Sequence, residues 1–152
     1  MGQQQLLLVI LVTIIVGIAT VVAINIFGTA AEQANQDAVR QDLLAAATNA
    51  QAMWARPVMM GGTGNDFTEE RIGAEQFAQR MGIPGIVSGL EVDNENAEYT
   101  IVRVDAESVR IDADPKGSPG SWSILVERTT DGEWRTTLTP NVGDPVIMGP
   151  EE

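Results

Sequence analysis

The opening of this chain constrains it most: no ionisable side chain occurs before Glu32. Within that stretch, Leu6–Phe27 reads LLLVILVTIIVGIATVVAINIF, and only Thr13, Thr20 and Asn25 are polar. At about 1.5 Å rise per residue, such a helix spans roughly 33 Å, enough to cross a hydrocarbon core of roughly 30 Å. A helix that is apolar on every side must be buried in lipid, in protein, or in each in turn. A secretory signal peptide fits poorly, because its apolar run is shorter and follows positive charge, whereas MGQQQ holds no Lys or Arg. The first basic residue is Arg40, so no basic flank anchors the N-terminus in the cytoplasm. The acidic remainder is expected outside the cytoplasm.

The helix is expected to continue past this apolar run. From Thr29 to Arg56 the chain is rich in Ala, Gln and Leu, all strong helix formers. Apolar residues recur at Val39, Leu43, Ala46, Ala50 and Met53, a one-sided helical stripe that can pack on a globular partner. Pro57 supplies the stop, and Gly17 and Gly28 are points where the helix could bend. If continuous from Gly2 to Trp54, the helix is roughly 80 Å long.

The remainder reads as a small head. Arg56–Asn65 is loop-like, and Thr68 is placed to cap a short helix from about Glu69 to Met81, with Gly82 ending it. Period-two patterns then predict strands at Glu98–Val104, Ser108–Ala113, Ser121–Thr129 and Glu133–Thr139. Asp131–Gly132 is a strong hairpin signal, and Leu90–Val92 is a candidate short edge strand. Alternation nominates Tyr99, Ile101, Val109, Ile111, Ile124 and Val126 for the core, while Val102, Val104 and Trp134 are open to either face. The expected fold class is α+β: a long N-terminal helix packed on an antiparallel sheet of about four strands. The expected division is a hydrophobic helix over residues 1–28 and a head over residues 29–152.

Composition narrows the chemistry. Cys and His are both absent, which removes thiol nucleophiles, disulfides, thiolate metal sites and the commonest acid–base catalyst. A net charge of -12 opposes binding to nucleic acid, since phosphate neutralisation needs Lys and Arg. Glu91, Asp93, Glu95 and Glu98 supply the paired carboxylates that glycosidase chemistry requires, but so small a head leaves little room for a cleft. No catalytic residue is therefore assigned, and no cofactor is expected. Asp105, Glu107, Asp112, Asp114 and Asp131 read first as solvated acidic surface; if calcium bound, Asp112 and Asp114 would be the ligands. Gly61–Gly64 lacks the preceding strand and the Gly-Lys-Ser/Thr of a phosphate loop. Met59, Met60, Trp122 and Trp134 are read as packing residues, with surface contacts as the alternative.

The neutral start, the apolar helix from about position six and its extension into an α+β head resemble the type IV pilins and their pseudopilin relatives. The resemblance covers residues 1–54 in pattern and the head in architecture only. It implies that Met1, taken as the first residue of a processed chain, occupies the place of the family's N-methylated residue. Gln5 stands where the family carries a glutamate, no proline interrupts the apolar helix, and no C-terminal disulfide is possible. The resemblance further implies a chain inserted in the inner membrane as a precursor. A prepilin peptidase and a pilus assembly machinery would then act on it, and it would end as a homo-oligomeric extracellular filament. Met1, Gln5, Leu6, Leu7, Leu8, Gly17 and Phe27 are the implied assembly residues. The alternatives are a minor pseudopilin of a type II-like secretion system and a membrane-anchored extracytoplasmic domain that binds an ion or solute.

Overall fold

The computed structural model describes residues 2–141 and divides the chain into two compact units, Met1–Ala34 and Asn35–Glu152. The fold is α+β: one long helix, α1 (Gly2–Trp54), precedes a single antiparallel sheet of six strands. Within the second unit the expected stripe is the buried face of α1, with Val39, Leu43, Ala46 and Ala50 fully buried and Met53 3% exposed. The small residues Ala46, Ala47 and Ala50 share this buried face, and each fully buried large apolar side chain contributes about 1.5–3 kcal/mol at most.

A helix ends with carbonyls that lack intrahelical donors. Here the loop after α1 supplies them: Thr63 N–H donates to the Met53 carbonyl, Asn65 N–H to that of Trp54, and Gly64 N–H to that of Arg56, each at 2.9 Å. The loop folds back so tightly that a Cβ on Gly62 would lie 2.0 Å from the Arg56 carbonyl oxygen. Only glycine fits there. Inside this loop Val58–Met60 forms a short 3-10 turn, η1.

Helix α2 (Ala74–Arg80) leads into the strands β1 (Ile86–Ser88), β2 (Glu91–Asp93), β3 (Ala97–Asp105), β4 (Ser108–Pro115), β5 (Ser121–Arg128) and β6 (Trp134–Asn141). Their spatial order equals their chain order, a meander, because every connection is too short to do anything but reverse direction. At Asp131–Gly132 the turn closes through Gly132 N–H to the Thr129 carbonyl at 2.8 Å, with Gly132 at φ 82°. Register places Tyr99, Ala113 and Trp122 in one row and Ile101, Ile111, Ile124 and Leu138 in the next. These rows face α1, and the six residues nominated from alternation are all buried. Val102 and Val104 take the opposite face, whereas Trp134 turns inward and meets Trp54 edge-on at 5.3 Å.

Polar contacts tie α1 to the sheet. The Tyr99 hydroxyl donates to Asp42 Oδ2 at 2.8 Å, Trp54 Nε1–H donates to the Ala106 carbonyl at 3.0 Å, and Asn35 donates to the Lys116 carbonyl at 2.7 Å. Arg40 lies 4.1 Å from the centre of the Trp122 ring. Arg103 lies over Phe77 and donates to the carbonyls of Glu69 and Ile72, which fastens the segment before α2 to the sheet.

Two expectations need correction. The sheet has six strands rather than about four, because Ile86–Ser88 adds to it and makes Glu91–Asp93 an inner strand paired on both sides. A three-residue strand between Gly85 and Gly89 carries almost no periodic signal. The short helix starts at Ala74 with Gly73 as its cap, not at Glu69. Thr68 is instead held in a local turn, where both its N–H (2.8 Å) and its hydroxyl (2.5 Å) donate to Asp66 Oδ1. The same side-chain chemistry that favours caps also favours such turns.

Candidate functional site

The largest unsatisfied surface of the described residues is the apolar helix itself. Every Leu, Val, Ile and Phe between Leu6 and Phe27 is open, from 47% exposed at Ile10 to 74% at Phe27. Successive residues turn by about 100°, so an uninterrupted apolar run covers the cylinder on all sides. Its hydroxyls are already satisfied: Thr13, Thr20 and Thr29 donate to the carbonyls of Val9, Val16 and Asn25 at 2.7, 2.8 and 3.1 Å. Satisfied hydroxyls suit an environment without water. A Cβ added to Gly17 or Gly28 would meet nothing within 4 Å, so both leave open backbone that another helix can approach. Helix α1 is long and apolar enough to cross a membrane.

Gln5, Leu6, Leu7, Leu8, Gly17 and Phe27 therefore all lie on this one exposed helix. Met1 lies outside the described residues. Polar Gln3, Gln4 and Gln5 precede the apolar run without bringing charge to it.

The head distributes its carboxylates across a solvated surface. Asp112 and Asp114 sit two apart on the outer face of β4, and Asp112 accepts from Arg110 Nε at 3.0 Å. Asp93, Glu98 and Asp114 stand directly opposite one another on three neighbouring strands, an arrangement that repels. Among the described residues, no group of three or more Asp, Glu, His or Cys is placed to hold a metal ion. Burial, followed by the bond to Asp42 and its charge, pushes the Tyr99 phenol well above its ordinary pKa. The Thr68 hydroxyl and then its N–H hold Asp66 below the usual carboxylate range.

Shallow cavities indent the described part of the head, and two of them hold charged residues. One, of about 450 Å³, is lined by Asn65, Asp105, Glu107, Glu127 and Arg128. The other, of about 510 Å³, lies at Pro84, Gly85 and Ile86 with Asp93, Glu95 and Lys116 around it. Lys116, the only lysine in the chain, pairs there with Asp93. Sequence reasoning missed this second groove because β1, which builds it, was missed. It also missed the bond between Asp42 and Tyr99, which joins residues far apart in the chain and leaves no local signal. Compared with protein-family models, curated proteins and solved structures, the chain matches none.

Proposed function

We propose that this chain is a structural subunit of an extracellular, type IV pilus-like filament whose core is built from the helices of residues 6–27. One observation carries the reading: an uncharged helix, whose large apolar side chains from Leu6 to Phe27 are all exposed, runs on into an α+β head. In water each large apolar side chain forgoes about 1.5–3 kcal/mol. Lipid relieves that cost before assembly, and transfer from lipid to a bundle of identical helices is then nearly neutral, because lipid is also apolar. Close packing at small residues such as Gly17, together with the assembly machinery, supplies the difference. The acidic heads form the exterior, where a net charge of -12 keeps them solvated.

Gln5 fits this role through what it lacks. A carboxylate at bilayer-centre depth costs about 2.5–3.5 kcal/mol on insertion scales, and less near the interface. The carboxamide avoids most of that and still offers an acceptor oxygen to a neighbouring terminal amine.

Electron microscopy of material sheared from cells producing the full chain tests the proposal. Fibres that label with antibody against this chain are expected. Abundant chain in membranes without any such fibre would refute it. Deleting residues 1–27 is expected to release a soluble head that no longer polymerises, whereas a membrane-anchored binding domain would keep a ligand after the same deletion.

A further inference from the structure

Among the described residues outside Leu6–Phe27, the three most exposed large apolar side chains are Met59 (100%), Ile86 (79%) and Met60 (75%). They form two features. Met59 and Met60 project from η1, on the loop that the α1 carbonyls hold in place. Ile86 stands beside Pro84 and Gly85 in the groove of about 510 Å³. The first is a firmly held protrusion, and the second is a shallow, open depression.

The charges around them are opposite. The Arg80 guanidinium lies against Gly61, next to Met60, and Arg56 adjoins the same loop. Neither arginine has an ion-pair partner among the described residues. The groove is edged by Glu95 and Asp93, and only Asp93 is paired, with Lys116.

Position along α1 separates the two features. The protrusion follows the end of the helix, since Arg56 N–H still donates to the Met53 carbonyl. The groove lies near Asp42, because Asn94 donates both to Asp42 and to the Pro84 carbonyl. From Asp42 to Trp54 the helix rises roughly 18 Å. Copies related by a rotation about a common axis and a rise along it meet through different parts of their surfaces, so a protrusion on one can reach a groove on the next. Such a contact joins two different surfaces and does not close on itself, so it propagates.

We infer that Met59 and Met60 of one copy seat against Pro84 and Ile86 of the next, with Arg80 facing Glu95, as the head-to-head contact of the polymer. The inference rests on the filament reading. Methionine suits this contact because its flexible thioether fills irregular hollows. The contact is small beside a standard interface, so it acts in register with the helical core, which holds the heads at high local concentration.

Because the chain has no cysteine, cross-linking tests this directly. The full chain carrying Met59→Cys and Ile86→Cys is assembled, oxidised with copper phenanthroline and run on a non-reducing gel. A ladder extending beyond dimer, collapsed by reductant and absent from either single variant, is expected. Both positions are exposed, so neither substitution disturbs the core. Adding Arg80→Glu is expected to cut the ladder by about tenfold, as attraction becomes repulsion, and adding Glu95→Arg as well is expected to restore it. Filaments seen by electron microscopy without a ladder overturn this contact and leave the filament reading standing. A dimer from Met59→Cys alone, at the yield of the double variant, also overturns it. No filaments and no ladder, with the unsubstituted chain also failing to polymerise, overturn both.

Discussion

Replacing Tyr99 with Phe isolates the bond that joins α1 to the centre of the sheet. The ring is fully buried and stays so in the variant, so packing is retained. What disappears is one hydroxyl that donates to Asp42 Oδ2 at 2.8 Å. Among the described residues, Asp42 then keeps only the longer contact from Asn94, at 3.4 Å. A hydrogen bond to a charged group contributes about 1.5–3 kcal/mol, and the partial exposure of Asp42 lets water recover some of that. A loss of about 1–2 kcal/mol is expected. Urea unfolding of the detergent-solubilised chain, followed through Trp54, Trp122 and Trp134, measures it. The sign of the pH dependence follows from the raised phenol pKa. In the unfolded chain Tyr99 ionises near pH 10, whereas burial and Asp42 keep it protonated in the folded state to higher pH. The folded state therefore binds more protons above about pH 10, and the contribution, fully present below that pH, is lost as pH rises further. Tyr99 is the only tyrosine, so tyrosinate absorbance reports this one group. An ionisation midpoint at the ordinary tyrosine value in the folded chain, or equal alkaline stability of the native chain and Tyr99→Phe, would refute the reasoning.

Three further outcomes are expected. Leu43→Ala, at a fully buried position on the α1 stripe, should destabilise the head by about 2–5 kcal/mol in the same urea assay. Ile15→Lys, in the middle of the apolar run, should cost about 2.5–3.5 kcal/mol on insertion and reduce the membrane-bound fraction measured by alkaline extraction. Thr68→Val removes the hydroxyl that, first of its causes, lowers the Asp66 pKa, so the Asp66 midpoint measured by NMR should rise toward the ordinary aspartate value. The stabilisation linked to Asp66 is present above that ordinary value and is lost as pH falls through the lower folded one, and the variant should narrow this acid window.

Patterns with a short repeat were readable without coordinates. The stripe from Val39 to Met53 repeats once per helical turn, and it is buried as expected. Alternation in β3, β4 and β5 placed six core residues on one face, and Asp131–Gly132 marked its turn. Two elements of three residues were not readable, β1 and η1, which are too short for any period and take their conformation from their neighbours; β2, equally short, overlaps the candidate strand at Leu90–Val92. Thr68 shows a different limit. A hydroxyl just ahead of a helical pattern satisfies a cap and a local turn equally well, and only the fold of Asp66 around it selected the turn.

The groove at Ile86 was hidden for the same reason as the bond between Asp42 and Tyr99. Each depends on chain segments that are distant in sequence and become neighbours only after the sheet closes over α1. The apolar stretch was the reverse case. Its lack of charge and its length were decided by residue chemistry alone, because the transfer of apolar side chains from water needs no tertiary partner to be favourable. By itself the sequence thus determined that Leu6–Phe27 must be buried outside water, that the chain has no Cys or His chemistry, and that a one-sided helix meets a sheet. Tertiary structure alone decided how many strands that sheet has, which carboxylates stand opposite one another, and where Arg80 and Glu95 come to lie. Register and long-range contact set those features, and both arise from the packing of whole elements rather than from any local run of residues.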